Sequence, residues 1–99
     1  MSFVTTQPEA LAAAASQLQG IGSALVAQNA AAAVPTAAIV PAAADEVSVL
    51  TAAQFARHAQ LYQAVSAQAA AMHEMFVTVM RASAGSYAAT EAANAVAAL

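Results

Sequence analysis

Two arginines, five carboxylates and two histidines are all the ionic and imidazole chemistry in this 99-residue sequence, and there is no cysteine. Metal binding is the first chemistry to test. His58 and His73 stand fifteen residues apart, about four helical turns, so they cannot share an ion on one straight helix. His73-Glu74 lacks the second histidine of a zinc-protease helix. Each histidine therefore reads as a polar-edge or core residue rather than a ligand. The carboxylates Glu9, Asp45, Glu46, Glu74 and Glu91 form no general acid–base pair, and the adjacent Asp45 and Glu46 are explained by helix capping. Gly20-Ile21-Gly22 lacks the third glycine and the preceding strand of a dinucleotide loop. Serine, histidine and acid are present without a nucleophile elbow. Without cysteine there is no disulfide framework, thiolate zinc site or thiol nucleophile. The expectation is a non-enzymatic protein with no catalytic, cofactor or metal site.

Composition narrows the partners. Arg57 and Arg81 are the only basic side chains, too few to neutralise a nucleic-acid backbone or to anchor to an anionic membrane. No basic residue precedes position 57, so the N-terminus lacks the charged region of a general secretory signal. Apolar residues make up 62% of the chain but aromatics only 5%, because about a third of it is alanine. The most apolar stretch, residues 30–44, is mainly alanine and holds Pro35 and Pro41, so no transmembrane segment is expected. Such a chain is one domain at most, hydrophobic by fraction yet short of bulk, and the opposite of a disordered composition.

These features imply an all-α protein. Thr6 and Glu9 have the spacing of a capping box, and Pro8 falls in the first turn, where a missing N–H costs nothing. A first helix is expected over residues 7–33, ended by the conformational restriction that Pro35 imposes on its predecessor. Leu11, Leu18 and Leu25 recur every seven residues, and Ala14 and Ile21 do likewise. Gly20 and Gly22 either soften this helix or admit another backbone. Residues 34–44 read as a connector. Asp45 then caps a second helix over 45–84, uninterrupted by Gly or Pro, with Gly85 as its C-cap. Residues 86–99 form an Ala-rich tail, helical or frayed, beyond a hairpin domain spanning 1–85.

The second helix has too much apolar surface for one neighbour. Its charge lies on one stripe through Arg57, Gln60, Ala64, Ala67, Ala71, Glu74, Thr78 and Arg81. Elsewhere Phe55, Tyr62, Ala69 and Phe76 form one heptad line, Leu61, Gln68 and Met75 a second, and Val65, Met72 and Val79 a third. Met72, Met75 and Met80 cluster near Phe76, as adaptable surface or ordinary core. Two antiparallel helices make one layer, and one layer encloses no core. The expected interface with another chain, or with a second copy, comprises Leu11, Leu18, Ile21 and Leu25 with Phe55, Leu61, Tyr62, Val65, Met72 and Phe76. A tail folding back, or a break at Gly20 giving a small bundle, is the alternative.

The opening MSFVTTQPEAL, with Pro8-Glu9, the Ala-rich first helix, the proline-containing loop and the AADEVS start of the second helix resemble the mycobacterial PE proteins over the whole chain. Tyr87-Ala88-Ala89-Thr90-Glu91 resembles the Tyr-x-x-x-Asp/Glu motif of type VII (ESX) secretion substrates. The resemblance implies an antiparallel two-helix hairpin that completes a four-helix bundle with a PPE protein. It implies export of the folded pair from the cytoplasm to the cell surface, the envelope or the exterior, with the ESX chaperone acting through the PPE partner. Tyr87 and Glu91 would be the secretion motif, displayed on one face one turn apart. Ending at Leu99, the chain is expected to lack the C-terminal extensions of many relatives. A self-associating structural helical bundle is the competing expectation.

Overall fold

The computed structural model describes residues 4–99, all of whose regular structure is helical: α1 (Pro8–Ala37) and α2 (Glu46–Ala97). No strand occurs among the described residues. The chain divides into two compact units. A terminal unit takes the segments up to Gly22 and from His73 onward, and a loop unit takes Ser23–Met72. In each unit a stretch of α1 pairs with a stretch of α2.

The most buried positions along the inner seam of each unit are mainly small residues. In the terminal unit Pro8, Ala15 and Gly22 of α1 are buried along with Val77 and Ala84 of α2, and Leu11, Leu18, His73 and Met80 are half-buried. In the loop unit Ala52 and Ala59 are buried, with Asn29, Ala32, Ala56, Gln63, Ser66 and Ala70 half-buried. On α2 this gives Ala52, Ala56, Ala59, Gln63, Ser66, Ala70, His73, Val77, Met80 and Ala84, alternating steps of four and three. That spacing keeps one stripe of a helix on one side. Side chains this small let helix backbones come close, and alanine loses little entropy in a helix. Among the described residues Val77, 1% exposed, is the one large side chain fully enclosed.

Polar groups complete the seam. His73 Nε2 lies 2.5 Å from the Leu18 carbonyl; a carbonyl only accepts, so Nε2 carries the proton and donates. Arg81 donates to the Gln19 side-chain oxygen. In the loop unit the Tyr62 hydroxyl donates to Asn29 Oδ1 at 2.8 Å, and Gln63 Nε2 donates to the Asn29 carbonyl at 2.9 Å. The two glycines on α1 differ, and neither softens the helix or admits another backbone as expected: α1 runs unbroken through both, and Gly22 makes room for a side chain. Gly20 faces open space, whereas a Cβ on Gly22 would stand 2.6 Å from the His73 ring.

Three boundaries differ from expectation. First, α1 does not stop near Ala33 but runs through Pro35 to Ala37. Pro35 forgoes its own bond to the Ala31 carbonyl, and the helix continues for two residues beyond it. Thr36 Oγ1 donates to the Ala32 carbonyl at 2.6 Å, and the Ala38 N–H still reaches Val34 at 3.0 Å. Second, Gly85 is not a C-cap. It lies inside α2 with ordinary helical φ, so the expected tail from 86 is helical as far as Ala97. Third, Thr6 does not close a capping box with Glu9. Its N–H and hydroxyl both donate to Glu91, and Gln7 supplies the first helical carbonyl, accepting from Leu11 at 3.1 Å.

Asp45 caps α2 as expected. Its carboxylate accepts the Ser48 N–H at 3.0 Å and the Ser48 hydroxyl at 2.7 Å. The Ser48 hydroxyl, and then its N–H, hold the Asp45 carboxyl below its ordinary value of 3.8. The lowered value means that the cap contributes stability above about pH 3.8 and loses it as pH falls through the folded value. Replacing Asp45 by Ala is expected to speed amide exchange at Ser48 and fray the first turn of α2, with Asp45→Asn retaining most of the protection. Exchange-rate measurements at neutral pH check this, and a carboxyl titration midpoint at or above 3.8 would contradict the cap geometry.

Candidate functional site

Beside the small-residue seam, each unit leaves its large side chains uncovered. In the loop unit Phe55, Leu61, Tyr62, Val65 and Met72 are exposed, and in the terminal unit Met75, Phe76 and Val79 are. On α1, Ile21 and Leu25 are exposed too, while Leu11 and Leu18 are half-buried against α2. Phe55, Tyr62 and Phe76 each precede a seam residue by one position, which turns them about 100° out of the seam. The charged stripe from Arg57 to Arg81 follows the seam by one position and is also exposed. The helix thus carries its seam, its solvated stripe and an apolar face on three separate sides.

Extended exposed apolar faces are a common feature of protein and membrane contacts. Tyr62 shows how such a face is pre-set: its hydroxyl is held by Asn29 while about half of the side chain stays exposed. Of the methionines expected to cluster near Phe76, Met80 enters the seam, whereas Met72 and Met75 stand in the open. In the loop unit a hollow of about 350 Å³ opens between Ala32, Thr36, Ile39, Phe55, His58 and Tyr62. It is apolar apart from His58 and the Thr36 and Tyr62 hydroxyls, and offers no convergent set of reactive groups. Among the described residues no three His, Asp or Glu side chains gather as a metal site.

The second candidate region lies at the chain termini. Tyr87 and Glu91 continue the α2 seam register after Ala84 by steps of three and four. Tyr87 is 48% exposed, but Glu91 is half-buried. Its Oε1 accepts both the Thr6 N–H and the Thr6 hydroxyl, each at 2.9 Å. The Thr6 N–H, and after it the hydroxyl, keep the Glu91 carboxyl below its ordinary value of 4.5. Because the folded value is lowered, this link stabilises the protein above about pH 4.5 and is lost as pH falls through the folded value. Two residues beyond Thr6, Pro8 is buried and Glu9 exposed at one wall of a shallow groove of about 390 Å³. Arg81, Ala84, Gly85 and Ala88 form the α2 wall. Local spacing pairs Thr6 with Glu9 and sets Glu91 one turn from Tyr87. The Thr6–Glu91 link, 85 residues apart in sequence, has no local signal.

By length and composition α1 is long and apolar enough to cross a membrane, a property shared by core helices of soluble proteins. Here Gln19 and Asn29 of α1 are engaged by Arg81, Tyr62 and Gln63 of α2.

Residues 4–94 match the PE family. The chain is 65% identical over 98 residues to the PE family protein PE13 of Mycobacterium tuberculosis, covering 99% of each. It is 59% identical over 98 residues to the PE family protein PE8 of the same organism, covering 99% of this chain and 36% of PE8. It is 64% identical over 95 residues to the PE-PGRS family protein PE_PGRS33, covering 96% of this chain and 19% of that protein. The match thus spans nearly all of PE13 but only part of the longer relatives. With residues from just before α1 almost to the end of α2 matched, this two-helix chain belongs to the PE family.

Proposed function

We propose that the chain acts as the PE half of an obligate heterodimer with a PPE protein, without enzymatic activity of its own. Its two helices contribute one layer of a four-helix bundle, and the pair is exported folded by type VII secretion to act at the cell envelope or in contact with a host. The observation that carries this reading is the uncovered apolar face of α2, with Phe76 at 56% exposure beside the enclosed Val77. A second helical layer laid on that face would bury the aromatic and methionine side chains that the hairpin leaves in water, the kind of residues that anchor interfaces. Leu11 and Leu18 then belong mainly to the hairpin, and Ile21, Leu25 and the α2 residues to the partner.

Tyr87 and Glu91 serve as the export motif in this reading, and Pro8 and Glu9 mark the family's N-terminal signature. Co-expression with a candidate PPE protein tests the pairing. A stable one-to-one complex is expected, and a soluble, well-folded monomer in its absence would sink obligate pairing. A homodimeric bundle, visible by light scattering on the chain alone, is the outcome that would replace it. Tyr87→Ala is expected to leave pairing intact and to block export. Wild-type export of that variant would remove Tyr87 from the signal.

A further inference from the structure

We infer that Glu91 works in the export patch as a clasp for the N-terminal segment, so that the surface presented at the Tyr87 end is built from both termini of the chain. This rests on the export role proposed above for Tyr87 and Glu91. A residue displayed for a partner to read should be solvated and unengaged, as the exposed Glu9 and Glu74 are by burial. Glu91 is neither. It is half-buried, and one oxygen of its carboxylate takes the N–H and the hydroxyl of a single residue, Thr6, both at 2.9 Å. Two donors from one residue fix its backbone as well as its side chain.

The register explains the orientation. Glu91 follows Ala84 and Tyr87 along the same stripe that faces α1 lower down, so its side chain is on the inner side of α2. The clasped residue is also well placed to matter. Thr6 leads within two residues to the buried Pro8 and exposed Glu9, which wall the groove opposite Arg81 and Ala88. Releasing Thr6 would free the approach to Pro8 from its anchor at Glu91, one helical turn from Tyr87, with no change in Tyr87 itself. The carboxylate's contribution is then its acceptor oxygen rather than a displayed charge. Thr6 becomes a positioning residue for export, although it lies at the far end of the sequence from the motif.

The test uses the full chain co-expressed with its PPE partner, with export read from the culture medium and pairing by co-purification. Thr6→Pro removes the N–H and the hydroxyl, while Thr6→Val removes the hydroxyl alone. Glu91→Gln keeps an acceptor oxygen without the charge, and Glu91→Ala removes both. Pairing is expected to be unchanged throughout. Export should fall about tenfold or more in Thr6→Pro and Glu91→Ala, less in Thr6→Val, and stay near wild type in Glu91→Gln. Amide exchange around residues 5–7 should accelerate in the variants that lose export. Loss of export in Glu91→Gln equal to that in Glu91→Ala, with residues 5–7 still protected, would show that charge is read and overturn the clasp. Normal export of Thr6→Pro while Tyr87→Ala is blocked would also overturn the clasp and leave the export motif standing. Normal export of Tyr87→Ala would bring down the motif and the clasp together.

Discussion

Phe76→Asp is expected to abolish pairing with the partner chain without touching the contacts between α1 and α2, and Val77→Ala, one residue away, to weaken those contacts without altering the face that pairs. The two side chains are turned about 100° from each other on α2. Phe76 is 56% exposed and Val77 is 1% exposed. A carboxylate at Phe76 meets water in the isolated hairpin and costs it little. Under a second helical layer the same carboxylate is buried without a counter-charge, on top of the lost aromatic contact. Either effect is worth about 3 kcal/mol or more, so the complex should weaken by more than about a hundredfold. Val77→Ala removes two methyl groups from the tightest point of the terminal unit, costing about 2 kcal/mol once the cavity is included, yet it alters nothing on the apolar face. Phe55→Asp should act like Phe76→Asp in the loop unit. Co-purification with the PPE partner reads the first effect, and thermal unfolding of the purified assembly the second. Undiminished pairing of Phe76→Asp would place the partner on another face.

The architecture was legible in the sequence because its local signals are strong. The Asp45 cap and the Gly- and Pro-free run to Ala84 mark α2, and Pro8 marks the start of α1. Where reading by sequence went astray, each error came from a rule overridden by context. Pro35 ends many helices, but here only a last short turn lies beyond it and Thr36 takes up a nearby carbonyl. Gly85 resembles a C-cap, but it adopts no positive φ and the alanine-rich run beyond it stays helical to Ala97.

The choice of faces was the harder problem, for a physical reason. Every stripe on α2 repeats each seven residues, so periodicity cannot say which one meets α1. Size decides it. Two helices drawn close accept Ala52, Ala59 and Ala84, whereas Phe55, Tyr62 and Phe76 would hold them apart. Reading the largest side chains as the seam would therefore have inverted the molecule. The apolar excess was visible from sequence; which part of it stays uncovered was not. The clasp was invisible for a different reason, since no local pattern relates Thr6 to Glu91.

Substituting alanine for glycine should change stability in opposite directions at two positions of α1 only two residues apart. At Gly20 an added Cβ meets nothing within 4 Å. Gly20→Ala therefore gains the helix preference of alanine, about 1 kcal/mol, with no steric cost. At Gly22 the Cβ would sit 2.6 Å from His73 Cδ2 and 2.7 Å from Nε2. The ring cannot simply swing aside, because Nε2 is bonded to the Leu18 carbonyl. Leu18 is also the residue whose carbonyl receives the Gly22 N–H in the helix ladder, so the missing Cβ is what opens the way for the imidazole. Gly22→Ala should thus lose the hydrogen bond, about 1 kcal/mol, and incur about 1–3 kcal/mol of overpacking, against the same helical gain of about 1. The net is a loss of about 1–3 kcal/mol, and for a domain of this size each kcal/mol moves Tm by about 4–8 °C. Thermal unfolding at fixed protein concentration should show Gly20→Ala raised and Gly22→Ala lowered. In a His73→Ala background the steric conflict is gone, and Gly22→Ala should become stabilising like its neighbour. If Gly22→Ala raises Tm with His73 in place, the imidazole does not occupy the notch that glycine leaves.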